Sequence, residues 1–248
     1  MLCLKFARII PKRFNTRNFR LQYTSDNHVD VHHYPIQISP FAENLAICGD
    51  LGNPKHPRFT EFLSHCSKSF KRVFFVAGNH DYDCGCLYEE DKIIEYKPII
   101  KNICDSFDNI HFLNQSTWTY NDILIAGSTL WCNPILKKSK PEYLEHILEH
   151  QRQLYWLTTI IKNNPNKKII VLTHFVPSKQ LIEPCYVKYG EYAVSWFATD
   201  LENLIQSPIR AWLCGHSHSV INTNINGVYC GLNSRWQQHE TKYIEITE

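Results

Sequence analysis

The sequence predicts an α/β protein, with mixed β-sheets inside and helices outside. Three observations carry this reading. Five short apolar runs, at residues 21–24, 45–48, 73–77, 169–172 and 211–214, have the length of strands buried on both faces. Between them the apolar residues change to the helical period, so strands and helices alternate. Towards its end the chain turns strand-rich, and Asn226-Gly227 is a strong hairpin turn before Val228-Tyr229. Alternating units pair in parallel and hairpins antiparallel, so the sheets are expected to be mixed.

The elements follow in order. Lys5, Arg8, Lys12, Arg13, Arg17 and Arg20 all precede the first acidic residue, Asp26. Residues 1–20 are therefore read as a basic N-terminal extension, ahead of one domain over 21–248. The extension fits a mitochondrial transit peptide or an added strand or arm, and it lacks the apolar core of a secretory signal. A helix is expected after Pro57, with Phe59, Phe62, Leu63, Cys66 and Phe70 on its apolar stripe. Another is expected after Pro98, carrying Ile99, Ile100, Ile103, Cys104 and Phe107. Residues 123–126 read as a strand. Ser139 and Glu142 have the spacing of a capping box opening a helix with Leu144, Ile147, Leu148, Leu154 and Tyr155 inward. Thr199 and Glu202 form a second such box, ahead of Leu201, Leu204 and Ile205. Residues 243–246 read as a last strand.

Composition narrows the function classes. With 26 Lys+Arg against 24 Asp+Glu there is no global basic field to argue for nucleic acid. No apolar run is long enough to span a bilayer. Most of the ten cysteines sit in apolar runs (Cys48, Cys214, Cys230) or on helix faces (Cys66, Cys104), as small buried hydrophobes do in a reducing compartment, which points to the cytoplasm. Cys84-Gly85-Cys86 has a poor spacing for zinc. Thirteen histidines are a first sign of metal chemistry.

The chemistry lies where the strands end. The five apolar runs lead into Ser25-Asp26-Asn27-His28, Gly49-Asp50 with Asn53, Gly78-Asn79-His80-Asp81, Thr173-His174 and Gly215-His216-Ser217-His218. Folding does not require such side chains at the end of a buried strand, but ligands bind at the carboxyl ends of strands in α/β sheets. Asp26 and His28, two apart, can turn onto one ion, and Asp50 is a lone carboxylate able to bridge two. Asn79, His174, His216 and His218 supply further donors. Carboxylate, amide oxygen and imidazole without thiolate suit Mn²⁺, Fe or Zn²⁺, and the set is too rich in histidine for Mg²⁺ alone. His80 brings an imidazole, the side chain that exchanges protons near neutral pH, to the same crevice.

In this order the motifs resemble the complete set of the calcineurin-like metallophosphoesterase superfamily, from about Leu21 to the C-terminus. Tyr34-Pro35, Pro177-Ser178 and Lys188-Tyr189 are further similar to a branch of small, Ser/Thr-phosphatase-like members. The resemblance implies a four-layer αββα sandwich of two mixed sheets. It implies two divalent metal ions, one held by Asp26, His28, Asp50 and His218, the other by Asp50, Asn79, His174 and His216. It implies hydrolysis of a phosphate mono- or diester, on a phosphorylated small molecule or nucleotide, by attack of a metal-bridging hydroxide. His80 would protonate the leaving oxygen or stabilise the transition state, with Asp81 holding its ring.

Departures limit the choice. Protein Ser/Thr phosphatases carry Asp-Arg after the second motif and a later His-Gly-Gly; this chain has Asn53-Pro54 and no His-Gly-Gly. Position 175 is Phe, where related sequences often have a second histidine. A nuclease or nucleotide phosphodiesterase of the same fold is the main alternative, and a non-catalytic scaffold is disfavoured by the complete ligand set. His32 and His33 read as a solvated loop near the first motif. His56, His65, His111, His146, His150 and His239 read as surface residues, and Trp131, Trp212 and Trp236 as core or rim.

Overall fold

A computed structural model describes residues 18–137, 140–235 and 241–247. Along the chain lie β1 (Asn18–Thr24), β2 (Asn44–Cys48), α1 (Pro57–Ser69), β3 (Arg72–Val76), α2 (Glu90–Asp105), β4 (Ile110–Phe112), β5 (Ser116–Tyr120), β6 (Ile123–Ser128), α3 (Pro141–Asn163) and β7 (Lys168–Thr173). Two short helices, α4 (Pro184–Val187) and α5 (Gly190–Val194), follow, then β8 (Ile209–Cys214), β9 (Val220–Ile225), β10 (Val228–Asn233) and β11 (Tyr243–Thr247).

The strands form two mixed sheets, ordered β11-β1-β2-β3-β4 and β5-β6-β7-β8-β10-β9. In the first, β1 to β4 run parallel and β11 pairs antiparallel on the outer edge of β1. In the second, β6, β7, β8 and β10 run parallel, with β5 and β9 antiparallel at the two edges.

The central strands are apolar throughout because both faces of each sheet are covered. Side chains alternate between faces, and the alternation is read directly in the packing. Ala46, Cys48, Phe74 and Val76 of the first sheet meet Ile123, Ile125, Ile170, Leu172, Ala211 and Leu213 of the second. On the other face, Leu45, Ile47, Val73 and Phe75 pack on Phe59, Phe62, Leu63 and Cys66 of α1 and on Tyr96, Ile100 and Cys104 of α2. Leu124, Ala126, Ile169, Val171, Trp212 and Cys214 pack on the far side, with Leu157 and Ile161 of α3. The layers are thus helix, sheet, sheet, helix: the αββα sandwich. Trp131 and Trp212 are fully buried within it.

Several local expectations need correction. Residues 1–17 lie outside the described part; Asn18, Phe19 and Arg20, at the end of the basic stretch, belong to β1 and pair with β11. The helix expected after Pro98 starts at Glu90 and contains Pro98. Pro98 has no N–H to offer the carbonyl one turn earlier, which belongs to the exposed residue Ile94. Ser139 lies outside the described residues; the helix it was to open starts at Pro141 with Lys140 as N-cap and no side-chain capping bond.

That helix, α3, is also rotated from the expected stripe, of which Leu154 does pack against the core. Leu144, Leu148 and Tyr155 are exposed, while His146, Glu149, His150 and Gln153 are buried. The reason is the irregular segment after β6, whose buried backbone groups have no ladder partners and need side-chain ones. Gln153 Oε1 accepts from the Leu130 amide at 2.6 Å, and His150 Nδ1 donates to the Leu130 carbonyl at 2.9 Å. His146 Nδ1 accepts from the Tyr88 amide at 2.9 Å. His146 and His150 are therefore interior residues, not surface ones.

No helix forms after Thr199. Glu202, the expected capping partner, instead accepts from the Ser178 hydroxyl at 2.6 Å, and Thr199 Oγ1 accepts from the Asn133 amide. Leu201 and Ile205 are nonetheless buried. Among the described residues no helix is long and apolar enough to cross a membrane.

Candidate metal centre

Parallel neighbours end at the same edge of a sheet, and this brings the motifs together. β1, β2 and β3 deliver Asp26, His28, Asp50 and Asn79 from one sheet, and β7 and β8 deliver His174, His216 and His218 from the other. The donor atoms form two groups that share one member. Asp26, His28, Asp50 and His218 lie within 4.8 Å of one another, and so do Asp50, His174 and His216. Asn79 joins the second group, its Oδ1 3.1 Å from His174 Nε2.

The backbone is bent to achieve this. Asp26, His28, Asp50, His216 and His218 have φ of 50°, 41°, 51°, 69° and 54°, in the left-handed region. Asp and His visit that region more readily than most residues, yet such conformations persist only where the surroundings impose them. Glycine provides the close approach. A Cβ on Gly49 would sit 2.3 Å from His174 Nδ1, and one on Gly78 would sit 2.2 Å from Asp50 Oδ1.

Hydrogen bonds then aim each donor. His174 Nδ1 donates to the Cys48 carbonyl at 2.9 Å, which fixes the tautomer and leaves Nε2 towards Asp50 Oδ2 at 3.3 Å. His216 Nε2 donates to the Trp196 carbonyl at 3.3 Å, leaving Nδ1 as its donor atom for an ion. Asp26 accepts from the His216 amide and the Ser25 hydroxyl, at 2.9 and 2.5 Å. Asp50 Oδ1 accepts from the His80 amide at 3.0 Å. Asp50 Oδ2 is buried and faces His174 Nε2 at 3.3 Å and His28 Nε2 at 3.8 Å.

Charge is distributed unevenly. Burial alone would raise the Asp50 carboxyl, but His174 beside it outweighs this and holds it well below the usual carboxylate range. Burial likewise disfavours charge on His174, yet Asp50 lifts the imidazole to about 9. His216 is driven well down by burial and by His174, and His28 is lowered mainly by burial. Carboxylates beside the neutral rings of His28 and His216, with a proton drawn onto His174 by Asp50, make a dry place that favours positive charge, which is the chemistry of a cation site.

A family model described as calcineurin-like phosphoesterase matches residues 25–220, most of the chain. The chain belongs to that family. Among relatives of this calcineurin-like phosphoesterase, the uncharacterized protein L509 of Acanthamoeba polyphaga mimivirus is 27% identical over 245 residues, 82% of this chain and 84% of that protein. Among solved structures, the phosphopantetheinyl hydrolase of Mycobacterium tuberculosis superposes with a TM-score of 0.67 at 15% identity, covering 91% of this chain and 95% of that one. The likeness to that structure is one of fold.

All seven metal-type residues expected in this calcineurin-like phosphoesterase are brought together. His80 borders the same cavity and is exposed, its ring centroid 5.2 Å from that of His28. Asp81 needs correction, because it does not hold the His80 ring. It is buried, and its two oxygens accept from the Gly52 and Gly78 amides at 2.8 and 2.7 Å. Asp81 therefore ties the loops after β2 and β3 to each other. Burial and the Asp50 charge push its carboxyl up to about 8, against the pull of those amides. Phe175, the departure noted after His174, packs its ring 4.0 Å from that of His216. The carbonyls of Cys48 and Trp196 escaped the sequence reading, since backbone acceptors leave no mark in a motif.

Proposed function

We propose that the protein hydrolyses a phosphate ester, on a phosphorylated small molecule or nucleotide, with two divalent cations. Asp26, His28, Asp50 and His218 would hold one, and Asp50, Asn79, His174 and His216 the other. The observation that carries the reading is Asp50: it is buried, it is common to both donor groups, and its Oδ2 faces an imidazole nitrogen of each, from His174 and His28. A buried carboxylate needs positive charge beside it, and a shared cation would supply that. The thiolate-free donor set suits Mn²⁺, Fe or Zn²⁺. Such cations, when bound, supply Lewis acidity towards phosphoryl oxygens and make water acidic near neutral pH.

The chain's own groups divide the remaining work. The Cys48 and Trp196 carbonyls hold His174 and His216 in one orientation. Asp81 and Gly78 fix the loop that carries Asn79 and His80. The His80 ring, at the cavity and free of the donor groups, hands a proton to the leaving oxygen, help typically worth about 10²–10⁴-fold. Nine described cysteines are free, which fits a reducing compartment, and we assign the cytoplasm. The test is hydrolysis of an aryl phosphate monoester and the matching diester by protein loaded with Mn²⁺. Turnover of at least one that chelation abolishes and Mn²⁺ restores is expected; full activity after complete metal removal would end the proposal.

A further inference from the structure

Beside the donor cluster lies a cavity of about 380 Å³. Asp50, Asn79, His80, His216, Ser217 and His218 form the polar part of its lining, and the rest is mostly apolar or aromatic. Ile182 and Val194 are buried in its wall, and Tyr186, Tyr189 and Phe197 line it while remaining 37%, 65% and 37% exposed. These residues come from one stretch between β7 and β8, built around α4 and α5. Three partly exposed aromatic side chains in so short a segment leave apolar surface that a bound group would cover. Among the described residues that line the cavity there is no Lys or Arg, although the Lys188 ammonium lies 5.3 Å from the Tyr189 ring centroid.

We infer that this wall receives the organic part of the substrate, and that the substrate is the phosphate ester of an apolar or aromatic alcohol. The inference rests on the proposed hydrolysis and names the substrate class for that site. The phosphoryl group belongs at the Asp50 end, and the carbon skeleton lies along Tyr186, Tyr189 and Phe197. The volume is that of a small-molecule site, at the lower end of the ~300–1,000 Å³ range. Phosphorylated protein loops, which present polar backbone to this wall, are disfavoured.

The experiment compares ethyl, butyl and 3-phenylpropyl phosphate on Mn²⁺-loaded full-length protein, since their leaving alcohols have similar acidity. Burying each added methylene is worth about 0.8 kcal/mol, or about fourfold. The ratio of kcat/KM for phenylpropyl over ethyl phosphate should therefore exceed tenfold. Tyr189→Ser, at an exposed position that folding tolerates, should shrink that ratio severalfold with metal content unchanged. Equal turnover of the three esters, or a ratio that Tyr189→Ser does not move, overturns the inference and leaves hydrolysis standing. Absence of turnover on any ester by metal-loaded protein overturns hydrolysis itself, and this inference with it.

Discussion

The His80 amide donates to Asp50 Oδ1 at 3.0 Å. The main chain of His80 thus supports the carboxylate common to both donor groups, while its side chain stands apart from them. This separation has a direct consequence for mutation. His80→Asn keeps the backbone bond, so the variant should retain its metal and lose about 10²–10⁴-fold in turnover, most on poor leaving groups. Asp50→Asn should lose metal along with rate. Metal analysis and kinetics on both variants check this, and loss of metal from His80→Asn would make that side chain a ligand or support.

Asp81→Ala removes the acceptor for two buried amides, those of Gly52 and Gly78. Leaving both unsatisfied should destabilise the protein by roughly 2–5 kcal/mol and weaken metal binding, since the loops they belong to carry Asp50 and Asn79. Thermal or denaturant unfolding reads this. Wild-type stability in the variant would show that water replaces the carboxylate without loss.

Gly78→Ala places a methyl where Asp50 Oδ1 now lies 2.2 Å from the ideal Cβ position. Neither group can yield without moving a donor, so the variant should fold with a damaged site and bind fewer than the wild-type number of ions. Unchanged metal affinity in titration would contradict the close approach.

His146 makes stability depend on pH. Its ring accepts from the Tyr88 amide, and burial, helped by His150, pushes its pKa down to about 4 from 6.5. The unfolded chain takes the proton more readily, so stability from this group is complete above about pH 6.5 and declines as pH falls towards 4. The full effect is about 3 kcal/mol, with about 2 of it lost by pH 5. Unfolding of wild type and His146→Gln at pH 7 and pH 5 isolates it: the variant should start lower and fall less. Parallel losses would remove His146 as the cause.

The site was legible because its donors sit where strands end, and a run such as Val73 to Val76 followed by Gly78-Asn79-His80-Asp81 announces both the strand and the break. Sheets covered by helices were legible because strands buried on both faces leave no polar alternation, while the four-layer sandwich followed from the resemblance carried by the motifs. What stayed hidden was decided by partners remote in sequence. The polar face of α3 turns inward because the backbone after β6 needs Gln153 and His150, which no helical period records. Glu202 looked like a cap until Ser178 claimed it. Asp81 looked like a partner for His80, yet the amides of Gly52 and Gly78, brought near by the pairing of β2 with β3, occupy it.

The central claim is that Asp50 joins two cation sites. The most direct test is the metal stoichiometry of wild-type protein, stripped with chelator, reloaded with Mn²⁺ and freed of excess ion, read beside its phosphoester hydrolysis. Two ions per chain, with activity rising only as the pair is filled, is the predicted result. One ion or none at full hydrolytic activity would contradict it.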